Sequence, residues 1–558
     1  MSDIRRGLPL TSSSIEKIFP KLTPAQISRI EARGHIRTVQ LGEVLIEQGD
    51  ISVPFFVVVS GELEVIRPSG VVETLITIHS SGEFTGESAM LSGRRALVRI
   101  RATKPGEVIE LNHQQLMALI QSDAELGEIL TRAFILRRVE LLASGVGDVV
   151  LIGSIHSSGT LRIKEFLMRN GHPYSYIDLE GNSDVQNLLD NFRINSSEIP
   201  IVICQGKVVL RDPTNQQIAE CLGFNESINQ TQVRDIVIIG AGPSGLAAAV
   251  YGASEGLDVL MLETGTPGGQ AGSTSKIENY LGFPTGISGQ DLAARAYNQS
   301  QKFGAEMLIS KGTRLICKSK PYLVEIENGA QIPTHTIVIA TGVEYRRPSQ
   351  LKNLSKFEGA GIYYGATFIE SQLSIDEEVI VVGGGNSAGQ AAVFLAGTSK
   401  RIHMLIRSGG LAESMSRYLI RRIEDTPNIV LRPYTEIISL EGDNHLQSVR
   451  WRNNQTGQTE DHNIQHVFVM TGATPNTRWL DGCVVLDNKG FIKTGANLLP
   501  EELKASGWPL SRQPYFLETS LPGVFAVGDI RAGSIKRVAS AVGQGSAAIS
   551  LVHQVLQE

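Results

Sequence analysis

The 558-residue chain is poor in cysteine (four), in tryptophan (three) and in aromatic residues generally (6%), and it contains no apolar run of 18 residues. Without such a run no helical membrane span is expected. The stretch "MSDIRRGLPLTSSS" has no apolar core behind its arginines, so no secretory signal is expected there. Net charge is −6 and no basic stretch is long enough to line a nucleic-acid groove, which argues against a nucleic-acid partner. Cys204, Cys221, Cys317 and Cys483 are far apart, and no two of them form a CxxC or fit a zinc site. The expected state is a cytoplasmic protein with its thiols reduced and no metal.

Glycine, by contrast, is plentiful, with 57 residues and no three-residue period, which points to turns and nucleotide loops rather than collagen. The length exceeds what one core fills, so three or four domains are expected. From Leu22 to about Leu130 the runs "VLIEQGD", "FFVVVSGELEVI", "TLITIHSSGEF" and "LVRIRA" are β-rich and cut by glycines at 42, 49, 61, 82 and 86, the pattern of a β-roll. The stretch "DAELGEILTRAFILRRVELLA" then reads as an amphipathic helix. From Asp148 to about Phe224 the order is βαβαββα, followed by a polar linker, "NESINQTQV". From Asp235 onward strands and helices alternate, which implies parallel sheets covered on both faces.

That last region holds two similar units. The first has Gly240-x-Gly242-x-x-Gly245, with Pro243 and Ser244 inside it, between the apolar run "DIVII" and the helix "LAAAVYGASEG". Glycines here permit a tight turn, let a pyrophosphate approach the backbone and let helix pack on strand, while the helix N-terminus offers unpaired N–H groups. The next strand ends in Glu263, placed to accept a ribose hydroxyl. The second unit repeats the layout with Gly383-x-Gly385-x-x-Ala388, but its strand ends in Arg407, 24 residues after the first glycine against 23 for Glu263. An acid there would repel a 2′-phosphate and arginine would pair with it, so the second unit is expected to prefer NADP. Near the C-terminus "GVFAVGDIRAG" sets Asp529 after an apolar strand, where it could bind a ribityl hydroxyl, and a helix is expected to begin near Val538.

Residues 234–558 resemble the low-molecular-weight thioredoxin reductases, through "GAGPSG", "GGQ" (268–270), "KIENYLGFP" (276–284), "ATG" (340–342), "GGGNSA", "TGATPNT" (471–477) and "GVFAVGD" in that order. The resemblance implies an FAD domain in two segments, 234–346 and 476–558, an NADP domain at 347–475, hydride transfer from NADPH to flavin, and a homodimer. It assigns Gly240, Gly242, Pro243, Ser244, Gly245, Glu263, Gly269, Gln270, Asn279, Gly342, Gly528, Asp529, Arg537 and Val538 to FAD. It assigns Gly383, Gly385, Asn386, Ser387, Ala388 and Arg407 to NADPH. Where the family carries Cys-Ala-Thr-Cys-Asp, this chain reads Gly365, Ala366, Thr367, Phe368, Ile369. A dithiol relay needs a thiolate and a partner sulfur, so no catalytic residue is named and disulfide reduction by the family route is not expected. Arg407 is followed by Ser408 where the family has a second basic residue, and Arg417 could stand in for it. Tyr364 and Phe368 read more readily as core packing than as a gate to the flavin.

The region 148–224 resembles a thioredoxin or glutaredoxin fold whose two cysteine positions hold Ser157 and Thr160, with Pro200 at the family's cis-proline and Cys204 expected to be buried. Such a domain, without thiols, is read as a docking module or dimer element. Residues 10–145 resemble cyclic-nucleotide-binding domains, with Gly86, Glu87 and Arg94 matching the phosphate cassette and Arg95 a second candidate; the spacing from Glu87 to Arg94 is about two residues shorter than usual. The expected fold is therefore multidomain: a β-roll, a thioredoxin-like α/β domain and two Rossmann-like FAD/NAD(P) α/β domains. The expected function is that of an NADPH-dependent FAD oxidoreductase of thioredoxin-reductase type, passing electrons to an unidentified acceptor and regulated through the N-terminal domain. The alternative is a sensor that binds FAD, NADPH or a cyclic nucleotide without turnover and acts by changing partner contacts.

Overall fold

The structure, a computed structural model, describes residues 18–51, 53–69, 72–86, 90, 95–143, 149–154, 157–179, 199–204, 208–225, 228–348, 350–480 and 482–558. The expected helix "SDVQNLLDNF" lies outside them, as do Glu87, Arg94 and the side chains of Phe368 and Ile369.

Five antiparallel strands, His35–Val39, Val44–Ile46, Phe55–Ser69, Val72–Ser80 and Arg99–Leu111, form the N-terminal roll. Period-two alternation divides its apolar residues between two cores. Phe55 and Val57 join Phe84, Leu116 and Phe134, whereas Phe56 and Val58 join Val39 and Val108. The five interrupting glycines all have positive φ. The expected helix is present as Ala124–Ala143. It carries Arg137 inward, 6% exposed, to donate to the carbonyls of Ile18 (3.0 Å), Phe84 (3.0 Å) and Gly86 (2.9 Å). The guanidinium also lies over the Phe19 and Phe84 rings. Arg137→Ala strips two buried carbonyls and a half-buried one of their donor. It should cost the roll ~2–4 kcal/mol, read as a lowered first transition in scanning calorimetry of the full chain.

In the middle domain, Val149–Gly153 pairs in parallel with Tyr174–Asp178 and antiparallel with Ile201–Cys204, which pairs in turn with Val208–Arg211. The sheet is mixed, Ile199–Pro200 is cis, and Cys204 is buried as expected. Ser157 caps the helix Ser158–Arg169 by accepting from the Thr160 N–H. The domain does not stand alone. Its buried Phe166, Ile218 and Phe224 share one apolar cluster with Ile236, Met307 and Ile309 of the first dinucleotide unit. Fully burying a side chain of this size is worth ~1.5–3 kcal/mol, so the interface is that of a permanent neighbour.

In the first unit, Glu306–Ile309, Val259–Glu263, Arg234–Ile239 and Gln331–Ile339 run parallel in that spatial order, and Val524–Ala526 joins the last of them in parallel. An antiparallel pair, Gly312–Ile316 and Tyr322–Ile326, continues from Gln331–Ile339. The second unit is a five-stranded parallel sheet in the order Ile362–Tyr363, His466–Val469, Glu378–Val382, Arg401–Leu405, Ile429–Arg432. The short antiparallel pair Val343–Tyr345 and Ala473–Pro475 connects the two units.

The expectation of four reduced thiols is corrected here: Cys317 and Cys483, 166 residues apart, form a disulfide. The spacing rule failed because folding, not sequence distance, decides proximity; the end of Gly312–Ile316 abuts the turn after Arg478–Leu480, where Cys483 also faces the Leu315 carbonyl. No described helix is long and apolar enough to cross a membrane.

Candidate functional site

At the first fingerprint, the strand Arg234–Ile239 ends, the chain turns through Gly240 at φ +103°, and the helix Pro243–Ser254 begins. The three glycines meet different demands. A Cβ on Gly245 would lie 1.9 Å from the Gly240 carbonyl oxygen, and one on Gly240 would lie 2.5 Å from that of Ala340. A Cβ on Gly242 would meet nothing within 4 Å. Gly240 and Gly245 therefore serve the turn and the packing, while Gly242 turns bare backbone toward open space. No side chain caps the helix that Gly242 starts, so its first N–H groups face that space with the positive end of the helix dipole.

Other segments close around this rim. A Cβ on Gly269 would come within 3.1 Å of the Gly242 Cα, and one on Gly528 within 2.5 Å of the Ser244 hydroxyl. Gln270 donates to the Val343 carbonyl beside Gly342 at 2.5 Å. The Gly528 N–H donates to the Gln544 side chain at 2.8 Å. The last helix, Val538–Gln557, begins at the expected residue and packs so close that a Cβ on Gly545 would lie 2.1 Å from the Ser244 carbonyl oxygen. Segments near 240, 269, 342 and 528 thus meet although they lie up to some 290 residues apart. Asn279 and Arg537, assigned to the same cofactor, are both exposed, and Arg537 is the N-cap residue of the last helix.

Glu263 ends its strand as expected. Its carboxylate accepts from the N–H groups of Ala241 (2.8 Å) and Gly265 (3.0 Å). Burial pushes its pKa above the usual carboxylate range, and those amides together with Arg169 oppose the rise. Asp529 is also pushed up by burial, with Lys536 opposing.

In the second crevice Gly383, at φ +143°, could carry no Cβ without meeting the Met470 carbonyl oxygen at 2.6 Å, whereas the Cβ position of Gly385 is open. Ala388 is fully buried beneath Gly383. The helix Asn386–Leu395 again has no side-chain cap. Asn386 accepts from the N–H of Ser416 at 2.8 Å and Ser387 bonds the Tyr345 hydroxyl, so both are held by neighbours. Arg407 and Arg417 are exposed. Arg422 pairs with Glu278 at 2.5 Å and so ties the second unit to segment 276–284 of the first.

The two crevices fit dinucleotides: each has one glycine tight against the turn, one open toward solvent, and an uncapped helix end. Residues 234–545, more than half of the chain, match the family described as pyridine nucleotide-disulphide oxidoreductase. The chain belongs to that family. It is a FAD-dependent oxidoreductase of multidomain build. Residues 36–123 match the cyclic nucleotide-binding domain. Thioredoxin reductase from Ureaplasma parvum is 32% identical over 317 residues, 56% of this chain and 94% of that protein. The crystal structure of Lactococcus lactis thioredoxin reductase aligns with TM-score 0.52 and 26% identity, covering 58% of this chain and all of the other. That of T. acidophilum thioredoxin reductase aligns with TM-score 0.51 and 27% identity, covering 58% and 99%.

At the position of the missing dithiol, Tyr363 and Ala366 are buried with Leu161 of the middle domain, and Ser158 sits where a Cβ on Gly359 would lie, 2.3 Å from its own Cβ. Tyr364 is packed against the second unit's core and donates to Glu358 at 2.7 Å, so it is a structural residue and not a gate. The middle domain's own degenerate site opens on a cavity of about 690 Å³ lined by Ser157, Gly159, Pro200, Asp212, Lys311 and Glu327 among others, none of them cysteine. Of the cassette residues only Gly86 and Arg95 are described; Gly86, at φ +106°, is held through its carbonyl by Arg137. Sequence reasoning missed the residues by which the middle domain grips the first unit, Arg169, Asn170 and Asn215. They lie 49 to 100 positions from their partners and belong to no motif.

Proposed function

We propose that the chain is an NADPH-dependent FAD oxidoreductase that delivers electrons from the flavin to an acceptor without a dithiol relay, works as a homodimer, and is regulated through its N-terminal domain. The observation that carries this reading is the state of the 359–369 stretch. It has no thiol, and the helix Ser158–Arg169 lies over it through Ser158 and Leu161. A protein disulfide has no sulfur to exchange with there.

FAD, when bound, accepts a hydride from NADPH and hands on the electron pair. The residues of the chain supply its placement. Gly242 and the N–H groups of Pro243–Ser254 would receive the pyrophosphate, and the Glu263 carboxylate would accept a ribose hydroxyl. Asp529, at the N-terminal side of Val538–Gln557, would face the ribityl chain. Gly385 and the helix Asn386–Leu395 would take the NADPH pyrophosphate, with Arg407 on its 2′-phosphate. For regulation, the contact that matters is Gln121, whose side chain donates to the Lys302 carbonyl of the first unit at 3.2 Å and so couples roll to flavin domain.

Under anaerobic conditions NADPH should bleach the flavin absorbance at far lower concentration than NADH. The reduced enzyme should then reoxidise with a quinone or ferricyanide and leave thioredoxin disulfide intact. A flavin that stays oxidised with NADPH bound would overturn the oxidoreductase reading in favour of a sensor without turnover. Rapid thioredoxin reduction would overturn the direct route.

A further inference from the structure

The helix Ser158–Arg169 ends on the segment that follows Glu263. Arg169, its side chain 10% exposed, pairs with Glu165 at 2.6 Å. It donates to the carbonyls of Pro267 (3.1 Å) and Gly269 (3.2 Å). Asn170 donates to the Gly265 carbonyl at 3.0 Å, and Asn215 to that of Thr264 at 3.2 Å. Four carbonyls between 264 and 269 therefore take their donors from the middle domain. The guanidinium fits because residue 272 is glycine: a Cβ there would lie 2.3 Å from the Arg169 nitrogen.

The gripped segment is the one that shapes the first crevice. Its Gly265 N–H holds the Glu263 carboxylate, and a Cβ on its Gly269 would come within 3.1 Å of the Gly242 Cα. With the carbonyls drawn toward the middle domain, the opposite edge of the segment is left to the dinucleotide. Buried charge matters too. The charged groups acting at Glu263 are Arg169 and, through it, Glu165; the rest of the carboxylate's support is the backbone N–H of Ala241, Thr264 and Gly265 and the Thr264 hydroxyl at 3.5 Å. Glu263 must be ionised to accept from those amides and from a ribose hydroxyl together.

We infer that Arg169 and Asn170 are positioning residues for FAD, so that the thiol-free thioredoxin-like domain serves as a wall of the flavin site rather than as a redox partner. This rests on the flavoprotein reading above and adds to it a task for the middle domain.

The test uses the full chain, stripped of flavin and titrated with FAD by fluorescence quenching, from pH 5 to pH 8. Arg169→Ala should raise the FAD dissociation constant ~10–100-fold. Loss of the cation lets the Glu263 pKa rise further, so binding in this variant should fail at higher pH than in the wild type. Arg169→Lys, which keeps the charge, should recover the pH profile and part of the affinity, and NADPH affinity should not move. Asn170→Ala should weaken FAD binding in the same sense with the pH profile unmoved, and it decides the matter if Arg169→Ala does not fold. Wild-type affinity and pH profile in Arg169→Ala, or in its absence wild-type affinity in Asn170→Ala, overturns the inference alone. A wild-type chain that takes up no FAD overturns the flavoprotein reading and this inference with it.

Discussion

Gly242→Val should leave the protein folded and all but abolish its flavin. Gly242 has φ −71° and ψ −178°, extended backbone that valine adopts without strain, and its Cβ would enter open space. The added isopropyl group would occupy the volume in which a pyrophosphate must approach the backbone, and it would shield the helix N–H groups that receive it. Flavin content and FAD affinity should fall by at least ~100-fold with the thermal transitions kept. Gly245→Val is the control with the opposite outcome. Its Cβ would lie 1.9 Å from the Gly240 carbonyl oxygen, which is backbone and cannot step aside. That variant should lose several kcal/mol of stability, about 3 or more, and express poorly. If Gly242→Val retains flavin at wild-type levels, the first crevice is not the FAD site.

Arg407→Glu should exchange the coenzyme preference. Arg407 lies two residues beyond the strand Arg401–Leu405 and is exposed, free of the packing that would make its replacement a folding problem. A charge-assisted bond to a 2′-phosphate contributes ~1.5–3 kcal/mol, and a carboxylate in its place would repel the same group. With ferricyanide as acceptor, kcat/KM for NADPH should drop ~10–100-fold, while that for NADH stays level or rises because a carboxylate can accept from the 2′-hydroxyl. Arg417→Ala should add to the NADPH loss if the arginine of the neighbouring helix shares the phosphate. An unchanged preference for NADPH in Arg407→Glu would move the coenzyme determinant elsewhere.

The middle domain changes how the missing dithiol is understood. Residues 365–369 lack the sulfurs, and the helix Ser158–Arg169 packs against Gly359 and the Tyr363–Ala366 cluster beside them. Leu161 shares the buried core of Tyr363 and Ala366, and Ser158 leaves no room for a side chain on Gly359.

Local sequence determined the two crevices. A glycine turn between a strand and a helix, with an acid or an arginine one strand later, uses interactions within some 25 residues; Glu263 ends its strand, and Arg407 follows its own by two residues. It also determined the roll, whose alternating apolar runs and left-handed glycines leave little choice of register. Only the tertiary structure decided the rest. The Cys317–Cys483 pairing, the seating of Gly528 against Ser244, and the grip of Arg169 on Pro267 and Gly269 join residues 98 to 284 positions apart. Such contacts follow from how sheets and helices stack, and a long-range pair imposes no period or spacing on the chain that a reader of the sequence could detect.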